Sequence, residues 1–82
     1  MESFAVELTV ANQCGVLNRI TGVYAKQKYN IDRLTVTETN DPAISAIRIV
    51  SKGDATIQSQ LARQLRKLFD VKTVVLSGNV TL

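Results

Sequence analysis

Apolar and polar residues alternate at the start of the chain, where Phe4, Val6, Leu8 and Val10 are interleaved with Ala5, Glu7, Thr9 and Ala11. A period of two sends one set of side chains to one face, so residues 3–11 are predicted to form a strand with a fully apolar side. At Val16 the period changes. Val16, Leu17, Ile20, Val23 and Tyr24 fall on one stripe of a helix that runs to about Lys28. The segment Ile31–Thr39 is rich in β-branched residues and reads as a second strand, with Leu34 and Val36 on one side and Arg33, Thr35 and Thr37 on the other. Asn40-Asp41-Pro42 is turn chemistry, and Ala43–Ser51 returns as a third strand that completes a hairpin. In it Ile47 and Ile49 face one way, and Ile44, Ala46, Arg48 and Val50 the other. Lys52-Gly53-Asp54 interrupts the strand, and Asp54 is placed to cap a second helix with the stripe Ile57, Leu61, Leu65, Leu68 and Phe69, closed by Asp70. Val71–Ser77 is the fourth strand by its Val-Val-Leu content.

The order β-α-β-β-α-β in so short a chain predicts an α+β fold, the ferredoxin-like βαββαβ sandwich, with both helices on one face of an antiparallel sheet. The expected strand order is 4-1-3-2, and the domain spans 1–78 with 79–82 as a short tail. The uncovered face then carries Ala5, Glu7, Thr9, Ala11, Ile44, Ala46, Arg48 and Val50, with Glu7 across from Arg48. Such a face is either a contact surface or the ordinary scatter of surface apolar groups.

The chain has 82 residues, and a single domain of that size hides only about 60–65% of its unfolded surface. Association is the usual way to enlarge so small a core, so a homodimer or a larger partner is expected. With one cysteine, Cys14, and no histidine, the chain offers no zinc set, no Ser/His/Asp triad and no Cys/His pair. No catalytic residue, metal site or cofactor is expected. The formal charge of +3 is spread over both helices, with Arg19, Lys26 and Lys28 in the first and Arg63, Arg66 and Lys67 in the second. These read as solvated faces. The strands lack the aromatic pairs an RNA-binding sheet needs, so nucleic acid is not expected as a partner. No basic-then-apolar leader and no membrane-length apolar run occurs, so a cytoplasmic location without membrane association is expected.

The chemistry concentrates between the first strand and first helix, at Asn12-Gln13-Cys14-Gly15-Val16-Leu17. A glycine just before a helix lets a ligand approach the backbone, and the first turn offers unpaired N–H groups at the positive end of the helix dipole. That combination suits a carboxylate. Taken alone, the hexapeptide is better read as an ordinary strand-to-helix turn, with Asn12 or Gln13 satisfying backbone donors, since turn glycines are common and most bind nothing.

Leu8-Thr9-Val10-Ala11-Asn12-Gln13-Cys14-Gly15-Val16-Leu17, Tyr29-Asn30-Ile31-Asp32-Arg33-Leu34-Thr35-Val36, Asn40-Asp41-Pro42 and Leu68-Phe69-Asp70-Val71 occur together in this order. Over essentially the whole chain, this set resembles the ACT domain of the regulatory small subunit of acetohydroxyacid synthase, also called acetolactate synthase. The glycine turn is common to ACT domains, whereas Tyr-Asn-Ile-Asp-x-Leu-Thr-Val followed by Asn-Asp-Pro is much narrower. The resemblance implies a non-catalytic chain that binds a branched-chain amino acid, usually valine, between two ACT domains of a homodimer and restrains a catalytic subunit. The thiamine diphosphate, divalent metal and FAD of that subunit would not belong to this chain.

For the ligand, the resemblance implies that Asn12 and the backbone N–H groups of Gly15, Val16 and Leu17 hold the carboxylate. Asn30 and the backbone at Ile31, from the neighbouring protomer, accept from the ammonium. Val16, Leu17, Ile31 and Leu34 line a slot for the aliphatic side chain, Thr35 belongs to the same second-strand motif, and Gln60 stands where the family carries a glutamine that influences inhibitor response. Asn30 is equally a natural residue for a left-handed, helix-ending position. Three positions depart from the pattern: Cys14 replaces a frequent proline, Thr37 a small apolar residue, and Lys28 a glycine, which is tolerable if Lys28 keeps φ below zero. The alternative is a free-standing ACT-domain sensor that regulates some other enzyme.

Overall fold

β1 (Ser3–Ala11) is the strand around which the domain is built, hydrogen-bonded on one side to β3 (Ile44–Lys52) and on the other to β4 (Val71–Gly78). The computed structural model describes residues 3–78, and the tail expected at 79–82 lies outside them. β2 (Arg33–Glu38) pairs with β3 and forms one edge, so the sheet order is β2-β3-β1-β4, all antiparallel and as expected. Helices α1 (Val16–Lys26) and α2 (Ala55–Arg66) occupy the two crossovers.

The period-two face of β1 does what its pattern requires. Phe4, Val6, Leu8 and Val10 are buried with Ile47 and Ile49 of β3, Val16, Ile20 and Tyr24 of α1, and Leu61 and Leu65 of α2. Each such burial contributes roughly 1.5–3 kcal/mol. α2 starts where Asp54 accepts a hydrogen bond from the Ile57 N–H at 2.9 Å. On the opposite face Glu7 stands across from Arg48 at 4.0 Å, and the Thr9 and Thr73 hydroxyls meet at 2.6 Å. Ala5 and Val50, opposed on that same face, are nevertheless buried, so its exposed part is narrower than the alternation implies.

Four expectations are corrected. α1 stops at Lys26 because Lys28 lies in the left-handed region at φ 59°, where a negative φ was required for an easy replacement of glycine. Here the Lys28 N–H donates to the Ala25 carbonyl at 3.1 Å and the Tyr29 N–H to the Tyr24 carbonyl at 2.9 Å, a helix-ending pair of bonds that needs one left-handed residue. Lys28, not Asn30, fills that role. β2 is shorter than predicted, since residues 31 and 32 only lead into the ladder, with the Asp32 N–H on the Val50 carbonyl at 2.8 Å. α2 ends at Arg66, so Phe69 does not extend its apolar stripe and is 97% exposed. Finally, Arg19 is not a merely solvated helix residue: its guanidinium pairs with the carboxylate of Asp70, which is buried.

Candidate functional site

Three strand ends converge on the turn between β1 and α1. The Ala11 N–H donates to the Asp70 carbonyl at 2.8 Å, the Asn12 N–H to the Ala43 carbonyl at 2.7 Å, and the Gln13 N–H to the Ala11 carbonyl at 2.9 Å. With its backbone held by two neighbouring segments, the chain reverses through Gly15 at φ 86° and ψ −8°, a left-handed conformation that favours glycine. A β-carbon there would lie 3.3 Å from Arg19 Nη1, so the guanidinium already occupies the space beside the turn. No side chain among the described residues caps α1. The Val16 N–H makes only a long bond of 3.4 Å to the Gln13 carbonyl, and the N–H groups of Gly15 and Leu17 have no acceptor among the described residues. These donors sit at the positive end of α1.

A small hollow of about 80 Å³ opens beside this turn between Asn12, Val16 and Leu17 on one side and Val36, Ser45 and Ile47 of the sheet on the other. Sites that enclose a whole small molecule usually measure roughly 300–1,000 Å³. The hollow of one chain is too small to enclose such a molecule by itself. Asn12 turns toward the β2–β3 hairpin, its Nδ2 donating to the Pro42 carbonyl at 3.2 Å, which leaves Oδ1 and a second N–H without a partner among the described residues. Val36, Ser45 and Ile47 were not expected here. Nor was the Arg19–Asp70 pair, although an acid set between Leu68, Phe69 and Val71 is the signal that could have found it, since burial there demands a counter-ion.

The structure brings Asn12, Gly15, Val16 and Leu17 together and leaves the other expected residues elsewhere in the same chain. Asn30 and Ile31 precede β2, whose far end meets Ser45, so they stand at the opposite end of that strand from the glycine turn. The Asn30 Nδ2 donates to Asp32 Oδ1 at 2.9 Å, which leaves the carboxamide oxygen free to accept. Leu34 shares the helix-side face with Val36 but does not line the hollow. Thr35 pairs with Arg48 on the open face and lines a wide depression of about 540 Å³ with Glu7, Thr9 and Thr37. It is on the other side of the sheet from the amides of α1. Gln60 accepts from the Tyr29 hydroxyl at 3.2 Å, beside the segment that follows α1. Cys14 is exposed in the turn.

The profile of the family described as "AHAS small subunit-like ACT domain" matches residues 6–73. The acetolactate synthase small subunit of Haemophilus influenzae is 39% identical over 70 residues, 85% of this chain and 43% of its own length. That of Bacillus subtilis is 44% identical over 71 residues, 84% of this chain and 41% of its own. The chain thus spans less than half the length of these curated relatives. The crystal structure of the acetolactate synthase small subunit from Thermotoga maritima superposes with a TM-score of 0.85 at 30% identity, over 93% of this chain and 47% of that one. The ACT domain from GTP pyrophosphokinase of Chlorobium tepidum shares the fold, with a TM-score of 0.76 at 22% identity over 93% of this chain and 99% of that one. A profile match across most of the chain, a ferredoxin-like sheet in the expected order and a glycine turn with free amides agree: the chain belongs to the family of AHAS small subunit-like ACT domains.

Proposed function

We propose that this chain is a non-catalytic regulatory subunit of acetohydroxyacid (acetolactate) synthase that binds a branched-chain amino acid, valine foremost, between two ACT domains. Binding there modulates the cytoplasmic catalytic subunit, which holds the enzyme's cofactors. The observation that carries this reading is the state of β2. It is an edge strand with an unpaired outer side, and its apolar Leu34 and Val36 are 38% and 52% exposed. Its six residues cover about 20 Å at 3.3 Å each, with Asn30 and Ile31 before the start and the glycine-turn hollow near the end.

Antiparallel pairing of β2 with its copy about a twofold axis sets the Asn30 end of one chain against the glycine turn of the other. Each partial site then gains its missing half. The amides of Gly15, Val16 and Leu17 and the free N–H of Asn12 bind the carboxylate, where charge-assisted bonds are short and strong. The free oxygen of Asn30 and the Ile31 carbonyl of the other chain accept from the ammonium, and Val16, Leu17, Ile31 and Leu34 enclose the aliphatic group. Thr35 acts through the β2 backbone, and Gln60 through the Tyr29 hydroxyl it holds, next to Asn30.

Coupling of this kind is typically about 1–3 kcal/mol and reciprocal, so the loaded catalytic subunit should change valine affinity by the factor by which valine changes the enzyme. The test mixes the chain with its cognate catalytic subunit and measures complex formation and acetolactate output against valine, leucine and isoleucine. Neither a complex nor a change in output would refute the assignment. A thermal shift with serine, glycine or aromatic amino acids, and none with the branched-chain set, would favour the free-standing sensor.

A further inference from the structure

The flank of the sheet opposite β2 carries chemistry that pairing through β2 leaves unused. Between α2 and β4 the chain runs through Leu68, Phe69 and Asp70: Leu68 packs against the core, Asp70 is buried, and Phe69 between them projects into solvent. Among the described residues no other large apolar side chain is exposed by more than 54%. The turn that presents the ring is fixed on both sides. The Leu68 N–H donates to the Leu65 carbonyl and the Val71 N–H to the Leu68 carbonyl, both at 3.1 Å, and the Asp70 carbonyl accepts from Ala11 at 2.8 Å. An aromatic group displayed from an ordered backbone loses little freedom when a partner covers it.

Cations flank Phe69 along the chain. Arg63, Arg66, Lys67 and Lys72 are all exposed, and the only acid between positions 63 and 72 is Asp70, already paired with Arg19. None of the four makes an ion pair among the described residues. Beside them Ala62 and Leu76 floor a shallow hollow of about 430 Å³ edged by Arg63, Arg66 and Lys67. An exposed aromatic residue in a stretch whose other exposed side chains are cationic fits an apolar pocket edged by carboxylates. A second copy of this chain would bring like charges together, and the position agrees with that exclusion. β4 is the sheet edge opposite β2, three strand spacings or roughly 14 Å away, so a dimer closed through β2 leaves both Phe69 rings on its outside.

We propose that this flank is the docking surface for the catalytic subunit of acetolactate synthase, with Phe69 entering an apolar pocket bordered by Asp or Glu side chains. The proposal rests on the regulatory reading above. It also gives effector and partner a common element, because Asp70, next to Phe69, holds Arg19 beside the Gly15 turn.

Calorimetric titration of the full chain into its cognate catalytic subunit, with wild type, Phe69→Ser and Arg66→Glu/Lys67→Glu, tests it. Phe69→Ser is expected to weaken binding about 10- to 100-fold, and the double charge reversal to weaken it most at low salt and less as salt is raised. The melting temperature of isolated Phe69→Ser, and its shift with valine, should equal those of wild type. Wild-type affinity in Phe69→Ser overturns the docking surface and leaves the regulatory reading standing, whereas a wild-type chain that does not bind the subunit overturns both. Retention on single-stranded RNA that Phe69→Ser keeps and the charge reversal loses assigns the flank to nucleic acid and overturns the proposal as well.

Discussion

β1 and β2 are both strands with apolar residues at every second position, yet β1 buries its apolar face and every residue of β2 is exposed. The difference is position. β1 has a partner strand on each side and helices over its apolar face, so Phe4, Val6, Leu8 and Val10 finish their packing inside the chain. β2 has one partner, and Leu34 and Val36 share the helix-side face of Ile49 and Ile47 without being covered as those are. The same pattern therefore means core in one place and unfinished interface in the other.

The widest separation between the two strands should appear on truncation. Leu8→Ala is expected to cost about 2–5 kcal/mol in urea unfolding, a large part of the roughly 5–15 kcal/mol that holds a domain together. Val36→Ala in the isolated chain, measured below its association range, should cost under about 1 kcal/mol. Equal losses would erase the distinction. At the β2 edge, Val36→Asp should leave the fold intact and weaken self-association at least about tenfold in sedimentation, with the valine response falling alongside. Dimers of unchanged strength would move the interface off β2.

Gly15→Asp sharpens the comparison from the effector side. It costs about 1 kcal/mol of left-handed strain and sets a carboxylate beside Arg19, where the ligand's own is expected, so valine should no longer alter the enzyme. Unaltered inhibition would remove Gly15 from the site. Lys28→Gly, at φ 59°, should stabilise the chain by up to about 1 kcal/mol in thermal or urea unfolding, and a loss would show that the lysine side chain contributes more than its backbone strain costs.

At neutral pH the smallest effect is that of Tyr24, whose hydroxyl is buried in the core without a partner among the described residues. Desolvation pushes its pKa well above the ordinary 10.0. The unfolded chain then loses this proton first, so stability is full below about pH 10 and falls as the pH rises past it. Tyr24→Phe should flatten that alkaline decline in a pH series of unfolding curves while leaving the β2 edge untouched.

The turn at the candidate site was legible because its residues are neighbours in the chain. Asn12, Gly15, Val16 and Leu17 are drawn together by one turn, and a glycine between a period-two and a period-3.6 segment marks that turn directly. Val36, Ser45 and Ile47 join them only through strand register, and Arg19 meets Asp70 across 51 positions. The first set has no local signature, and the acid among Leu68, Phe69 and Val71 signals a counter-ion without naming Arg19. Thr35 shows the limit from the other side: belonging to a motif with Leu34 and Val36 did not put it on their helix-side face, because alternate residues of a strand point apart.

Sequence periodicity by itself determined the six elements, the apolar face of each strand and the antiparallel order of the sheet, since burying those faces under two right-handed crossovers leaves little choice. Tertiary structure alone decided what stayed unburied. It left β2 without a cover, set Phe69 outward between two inward neighbours, and took Arg19 from solvent to Asp70. Those outcomes depend on where elements end and which strand lies at the edge, quantities fixed by packing between distant segments rather than by any local run of residues.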